Sequence, residues 1–149
     1  MSWLNRNGQG IEAIAASITA LVAIGALFGV KFQLDENERQ QRNVSARASY
    51  QSHLALAVAN PDFAQPVGGC ALLESNRALA YQAFVDHLLY SAEQMLAVEE
   101  GWEPVFLEHL VTHKDILCSA NVLGGDTLAL DNLLTEFKTT VCLKTPSCE

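Results

Sequence analysis

Two histidines stand four residues apart in the chain, His109 and His113, a spacing that places both imidazoles on one face of a helix. A helix presents two ligands to one metal ion in this way, and Glu108 and Cys118 lie nearby in sequence. The segment lacks the glutamate that a zinc protease carries beside its first histidine, and His109 falls on an apolar stripe typical of a core histidine. Because two ligands do not complete a metal site, His109 and His113 are candidate ligands only, and we predict no bound metal.

The other two histidines, His53 and His87, fall on separate predicted helices. Facing helices can supply two axial imidazoles to a haem, but no pocket signal accompanies this pair. Nothing in the sequence marks an activated thiol for nucleophilic catalysis, and the glycines form no phosphate-binding loop. We therefore predict a protein without a cofactor and without enzymatic activity.

Four cysteines, Cys70, Cys118, Cys142 and Cys148, are the remaining candidates for chemistry. In an up-and-down bundle Cys70 and Cys118 would lie at the same end, and the returning last helix would bring Cys142 close to Cys148. This geometry favours disulfides between Cys70 and Cys118 and between Cys142 and Cys148, one of three possible connectivities. Reduced cysteines are the alternative.

The elements that carry these residues follow a long apolar run. Residues 13–30, AIAASITALVAIGALFGV, contain no charge and, with their apolar flanks, are long enough to cross a hydrocarbon core of about 30 Å. We predict a retained transmembrane helix over residues 11–34 after an N-terminal tail of residues 1–10. A cleavable signal peptide is the alternative, but the run is long for one and Arg6 alone makes its N-terminal flank basic.

Small residues are frequent in this run. Gly25 and Gly29 form a GxxxG pair, and Ala16 and Ala20 repeat its spacing. Such pairs let a second helix approach closely in a membrane, so we predict a helix–helix interface at these four positions. The partner would be the transmembrane helices of a larger membrane complex, or a second copy of the chain in a homodimer. Alternatively, the small residues only moderate the hydrophobicity of a solitary span.

Residues 35–149 are predicted to form one helical domain. Residues 35–43 are charged all round and indicate a solvated stalk, and a tail follows at residues 143–149. Four apolar stripes with helical spacing lie between them, so we predict an all-α fold in which the N-terminal transmembrane helix continues into an up-and-down four-helix bundle. The stripes comprise Val44, Ala48, Leu54, Ala55 and Val58; Tyr81, Phe84, Val85, Leu88, Leu89, Ala92, Met95 and Leu96; Val105, Phe106, His109, Leu110, His113 and Leu117; and Leu130, Leu133, Leu134, Phe137 and Val141.

The charge of the chain bears on its partners and its location. A formal net charge of −8 argues against nucleic acid, because such binding requires clustered Lys and Arg. Two signals for the side of the membrane disagree. Disulfides favour an oxidising compartment, whereas Lys31, Arg39 and Arg42 after the span outnumber Arg6 before it and favour the cytoplasm. Acidic residues are interleaved with that basic group, so we follow the cysteines and predict a periplasmic or otherwise extracytoplasmic domain.

Several short motifs complete the pattern: Ser45-Ala46-Arg47 with Tyr50, then Asn60-Pro61 with Ala64, then a tyrosine-containing helix followed by a Trp and a His. With the single span, this layout resembles a loose group of small, uncharacterised bacterial single-span membrane proteins that have a C-terminal helical domain. The resemblance covers most of the chain and implies its architecture, but it implies no activity.

Together these features predict a non-catalytic, membrane-anchored accessory or scaffold subunit that docks through its transmembrane helix on a larger membrane protein complex. The alternative is a membrane-anchored helical domain that binds a metal or haem through the four histidines or senses redox state through its cysteines. Either form could be a homodimer.

Overall fold

The chain is all-helical over the residues that this computed structural model describes: 2–119, 127–144 and 148, with side chains described for residues 16–119, 127–143 and 148. No strand occurs in these ranges. The elements are α1 (Ser2–Ala59), α2 (Pro61–Ala64), α3 (Gly69–Leu73), α4 (Ala78–Leu96), α5 (Glu103–Thr112), α6 (Lys114–Leu117), α7 (Leu128–Thr140) and a 3₁₀ turn (Cys142–Lys144). The structure thus describes seven α-helices, more than the four we predicted. The short helices α2 and α3 lie between α1 and α4, and α5 and α6 take the place of one longer predicted helix.

The first of two compact units is residues 1–41, and α1 is its one element. The helix begins at Ser2, so residues 2–10, predicted as a tail, are helical. Every described side chain from residue 16 to residue 35 is exposed. An 18-residue stretch of Ala16–Ala59 has a mean hydropathy of 1.7, which is high enough for a membrane span, and none of its residues is buried. Its length and composition are those of a transmembrane helix or a signal sequence.

The helix α1 ends at Ala59 because a proline follows Asn60. The ring of Pro61 disfavours the helical conformation at the preceding residue, and Asn60 accordingly leaves it with φ −132° and ψ 69°. Pro61 then occupies the first turn of α2, where its missing N–H is not needed. The break brings the buried ring of Phe63 against Tyr81 and Phe84 of α4.

The second unit, residues 42–149, has a single core built around α4. The predicted stripe of α4 is buried from Tyr81 to Met95, with Leu96 half-buried at its end. The helix α5 adds Phe106 and Leu110, and α7 adds Phe137, all essentially inaccessible to water. Removing one of these side chains would typically cost about 3–5 kcal/mol, so this cluster supplies much of the stability of the unit.

The predicted third helix is divided in two at His113. Its φ of −105° and ψ of 22° interrupt the helix between Thr112 and Lys114, and its N–H bonds the carbonyl of Leu110 three residues earlier. The break turns α6 against α3, where the Gly69 N–H donates to Asp115 Oδ2 at 3.0 Å. This contact requires a glycine, since a Cβ at position 69 would lie 2.8 Å from the Asp115 Cβ.

All four cysteines are paired, but the predicted partners were wrong. The structure joins Cys70 to Cys148 and Cys118 to Cys142, with Cα–Cα distances of 5.4 and 5.3 Å. Our prediction assumed an unbroken third helix, whereas the break at His113 lays α6 on α3 and places Cys118 beside the end of α7. Cys148 then reaches Cys70, and its disulfide sulfur lies 3.6 Å from the Asp115 carbonyl oxygen.

The last helix begins at a capped residue. Thr127 has an extended backbone, and its hydroxyl accepts a hydrogen bond from the Leu130 N–H at 3.4 Å, as an N-cap residue does. Earlier in the chain, α4 ends at Leu96, and Gly101 beyond it has a φ of +86°, a left-handed conformation that glycine adopts readily.

Candidate functional site

The four histidines of the chain, treated above as two separate pairs, lie in one cluster. His53 comes from α1, His87 from α4 and His109 from α5, and His113 follows at the break after α5. The ring centroids of His53 and His87 are 5.8 Å apart, and those of His53 and His109 are 6.4 Å apart. No local pattern in the sequence predicts that His53 and His87 join the other two, because this proximity depends on how three helices pack.

His53 is the central member of the cluster. It is 2 % exposed and packs its ring 4.9 Å from the ring of Phe84. Its Nδ1 is fully buried and has no hydrogen-bond partner among the residues that the structure describes, which is unusual because buried polar groups are nearly always satisfied. Burial, followed by the neighbouring His87 and His109, lowers the pKa of His53 to about 4, so this imidazole is neutral at pH 7.

Two tyrosines orient the other rings. The Tyr81 hydroxyl shares a buried hydrogen bond with His113 Nδ1 at 3.1 Å, and the Tyr50 hydroxyl shares one with His109 Nε2 at 3.2 Å. His113 is as buried as His53, and burial with the charges of His53 and His109 lowers its pKa to about 4. Burial and the charge of Asp115 raise the pKa of Tyr81 to about 12, which keeps the hydroxyl protonated.

Neither tyrosine was identified as functional from the sequence. Tyr81 was assigned to a core stripe, and Tyr50 was noted only in a short motif. The sequence nevertheless indicated that such partners exist. His109 and His113 fall on an apolar stripe, and a buried imidazole requires a hydrogen-bond partner. Tyr50 is further held by edge contacts with the rings of Trp102 and Phe106, at centroid distances of 5.2 and 5.4 Å.

The cluster borders a cleft of about 420 Å³, here called the histidine cleft. Its floor consists of the buried residues His53, Phe84 and His113, with His109 half-buried beside them. The exposed side chains of Leu54, Gln65, Glu108 and Thr112 form the rim, and Ala57 and Ala64 complete the lining. The volume falls within the range of about 300–1,000 Å³ that is usual for small-molecule sites.

The histidine cleft is not arranged as a metal centre. Over the described parts of the chain, no three His, Cys, Asp or Glu side chains are grouped so that they could hold a metal ion. The candidate ligands His109 and His113 both line the cleft, and each has one ring nitrogen in a hydrogen bond with a tyrosine. His87 lies outside the lining, with Nδ1 3.4 Å from the Ser91 hydroxyl.

The predicted interface residues of α1 are open in this chain. Ala16, Ala20, Gly25 and Gly29 are all exposed, and a Cβ added at either glycine meets nothing within 4 Å. The two pairs do not share a face, because nine residues separate Ala16 from Gly25, which is about two and a half turns at about 3.6 residues per turn. The alanines therefore lie on the side of α1 opposite the glycines.

Comparison of the chain with protein-family models, with curated proteins and with solved structures finds no match.

Proposed function

We propose that this protein is a membrane-anchored accessory subunit whose helix α1 spans the bilayer and docks on the transmembrane helices of a larger complex. The observation that carries the proposal is the complete exposure of the apolar part of α1. Leu21, Leu27 and Phe28 are 69–71 % exposed. Transfer of each such side chain out of water would contribute about 1.5–3 kcal/mol of favourable free energy, and the hydrocarbon core of a bilayer supplies the apolar environment for it.

The Gly25 face is the side of α1 on which the partner helix is expected. Lipid is as apolar as leucine, so helix association in a membrane depends on close packing rather than on hydrophobicity. At Gly25 and Gly29 the backbone is accessible, and one turn separates the two residues, as in GxxxG contacts. The proposal commits to a helix of another protein, and a second copy of this chain is an alternative outcome of the test.

The paired cysteines support placing the helical unit outside the cytoplasm. Both disulfides fall in residues 42–149, and such bonds persist in the periplasm or extracellular space rather than in a reducing cytosol. The basic residues Lys31 and Arg39 oppose this orientation by the positive-inside rule, but Glu36 pairs with Arg39 at 3.4 Å and lessens the local charge. Labelling of intact cells with a membrane-impermeant thiol reagent, before and after reduction, tests the orientation.

Docking is tested by purifying the protein in mild detergent and identifying co-eluting proteins by mass spectrometry. We expect one set of membrane proteins to co-elute with the wild type and to be lost from the Gly25→Leu/Gly29→Leu variant. The Ala16→Leu/Ala20→Leu variant is the matched control, because it places the same two side chains at the same spacing on the opposite side of α1. Equal loss from both variants, or recovery of the wild type alone, would contradict the proposal.

A further inference from the structure

The histidine cleft has the features of a ligand site that docking through α1 does not use. Its floor contains His53, which is 2 % exposed and whose Nδ1 has no hydrogen-bond partner among the described residues. We propose that the histidine cleft binds a small organic ammonium ion, a primary amine with a short apolar body. This inference is independent of the docking proposal, because every residue that it uses lies in residues 42–149.

The charges of the cleft favour a cation. Among its lining residues Glu108 is the one carboxylate, and neither Lys nor Arg is present. The imidazoles of His53 and His113 are neutral at pH 7, since burial lowers both pKa values to about 4. The formal net charge of −8 adds a long-range attraction for cations and repels anions.

Hydrogen bonding selects an ammonium group among cations. A neutral imidazole has one nitrogen that accepts a hydrogen bond, and a primary ammonium has three N–H donors. His53 lines the cleft and its Nδ1 has no hydrogen-bond partner among the described residues, so its accepting nitrogen is one partner for the ammonium group. Carboxylate, hydroxyl and amide oxygens at Glu108, Thr112 and Gln65 on the rim accept the other donors.

The apolar floor fits the body of such a ligand. Phe84 is 5 % exposed and lies under His53, and the methyl groups of Ala57 and Ala64 complete the lining. An aromatic face attracts an ammonium group as well as methylene groups. A metal ion, by contrast, requires several ligands to converge at about 2 Å on one point. The described side chains include no such group of three, whereas an amine accepts separate partners at about 3 Å.

The test is isothermal titration of the full-length protein in detergent with n-butylamine at pH 7. We expect saturable binding of n-butylamine and none of n-butanol or butyrate, which have a similar short apolar body without the positive charge. Glu108→Gln should weaken the affinity about fivefold, since it removes the negative charge that attracts the ammonium group, and His53→Phe about tenfold, since it removes an accepting nitrogen. Affinity should also fall between pH 6 and pH 4, as His53 and His113 become protonated beside His109, His87 and Glu108.

Matched controls separate a site from a general effect. Glu100→Gln removes an exposed carboxylate outside the cleft, and His87→Phe exchanges a ring that contacts His53 but does not line the cleft. Both should leave the affinity for n-butylamine unchanged. Because Glu108 is exposed, its variant tests the site even if His53→Phe unfolds.

Three results would overturn the inference: no binding of n-butylamine, equal binding of butyrate or n-butanol, or an affinity unaffected by Glu108→Gln. Stoichiometric binding of zinc chloride that His53→Phe abolishes, without binding of n-butylamine, would likewise replace the amine site with a metal site.

Discussion

The contact between α3 and α6 allows one substitution to be worked out in detail. A Cβ added at Gly69 would lie 2.8 Å from the Asp115 Cβ and 2.9 Å from Asp115 Oδ2, and atoms this close must move apart. Gly69 is buried, and its N–H bonds that same carboxylate at 3.0 Å. Overpacking of this kind typically costs about 1–3 kcal/mol, and displacement of Asp115 weakens the hydrogen bond as well. We expect Gly69→Ala to destabilise residues 42–149 by about 2–3 kcal/mol.

The neighbouring glycine provides the control. A Cβ at Gly68 would meet only the Ala71 Cβ at 3.8 Å, which is ordinary contact, and its φ of −160° suits any residue. Gly68→Ala should therefore change stability by less than about 1 kcal/mol. Thermal unfolding of both variants, followed by circular dichroism with the disulfides intact, should show a melting temperature about 8–15 °C lower for Gly69→Ala alone. Equal melting temperatures for the two variants would refute the account of why α3 and α6 pack together.

The other predictions concern the buried polar groups and the cysteines. Tyr81→Phe removes the partner of His113 Nδ1 and should lower the free energy of unfolding in urea by about 1–3 kcal/mol. Tyr90→Phe is the control and should lower it by almost nothing, because Tyr90 is 54 % exposed. Similar losses for both variants would contradict the assigned hydrogen bond. The pKa values of His53 and His113 are lowered from 6.5 to about 4, so the unfolded chain binds more protons than the folded one below pH 6.5. The free energy of unfolding should therefore fall progressively from pH 6.5 to pH 4, by at most about 3 kcal/mol per histidine. His53→Phe should reduce this pH dependence. An unfolding midpoint in urea that shifts equally with pH in the wild type and in His53→Phe would contradict it. Peptide mapping without reduction should recover Cys70 with Cys148 and Cys118 with Cys142, and recovery of Cys70 with Cys118 would contradict the fold around His113. Replacing both Cys118 and Cys142 by serine should lower the free energy of unfolding by about 3 kcal/mol, since their disulfide closes a loop with a sequence separation of 24.

The sequence predicted those parts of the fold that follow from local periodicity. The stripe from Tyr81 to Met95 is buried as expected, and the breaks at Pro61 and Thr127 fall where proline and capping rules place them. The break at His113 has no comparable local signal, because no Gly or Pro marks it. Its cause is tertiary, in the Tyr81 hydrogen bond and the packing of α6 on α3.

The candidate site shows the same division. The residue types were visible in the sequence, and the spacing predicted His109 and His113 on one helix, whereas His113 lies at the break after α5. The position of His53 beside them depends on how α1 packs on α4 and α5, which no local pattern encodes. The cysteine pairing failed for the same reason, because one helix break moved Cys118 beside the end of α7.

The proposed docking places a helix of another membrane protein against the Gly25 side of α1. A photo-crosslinking amino acid placed at Ile18, two turns before Gly25 on the same side, tests this contact in intact membranes, and Leu27, on the opposite side, is the matched position. Both side chains are exposed in this chain, at 57 % and 71 %. We expect one discrete adduct with a different protein from Ile18 and none from Leu27. No adduct from Ile18, equal adducts from both positions, or an adduct containing only a second copy of this chain would contradict it.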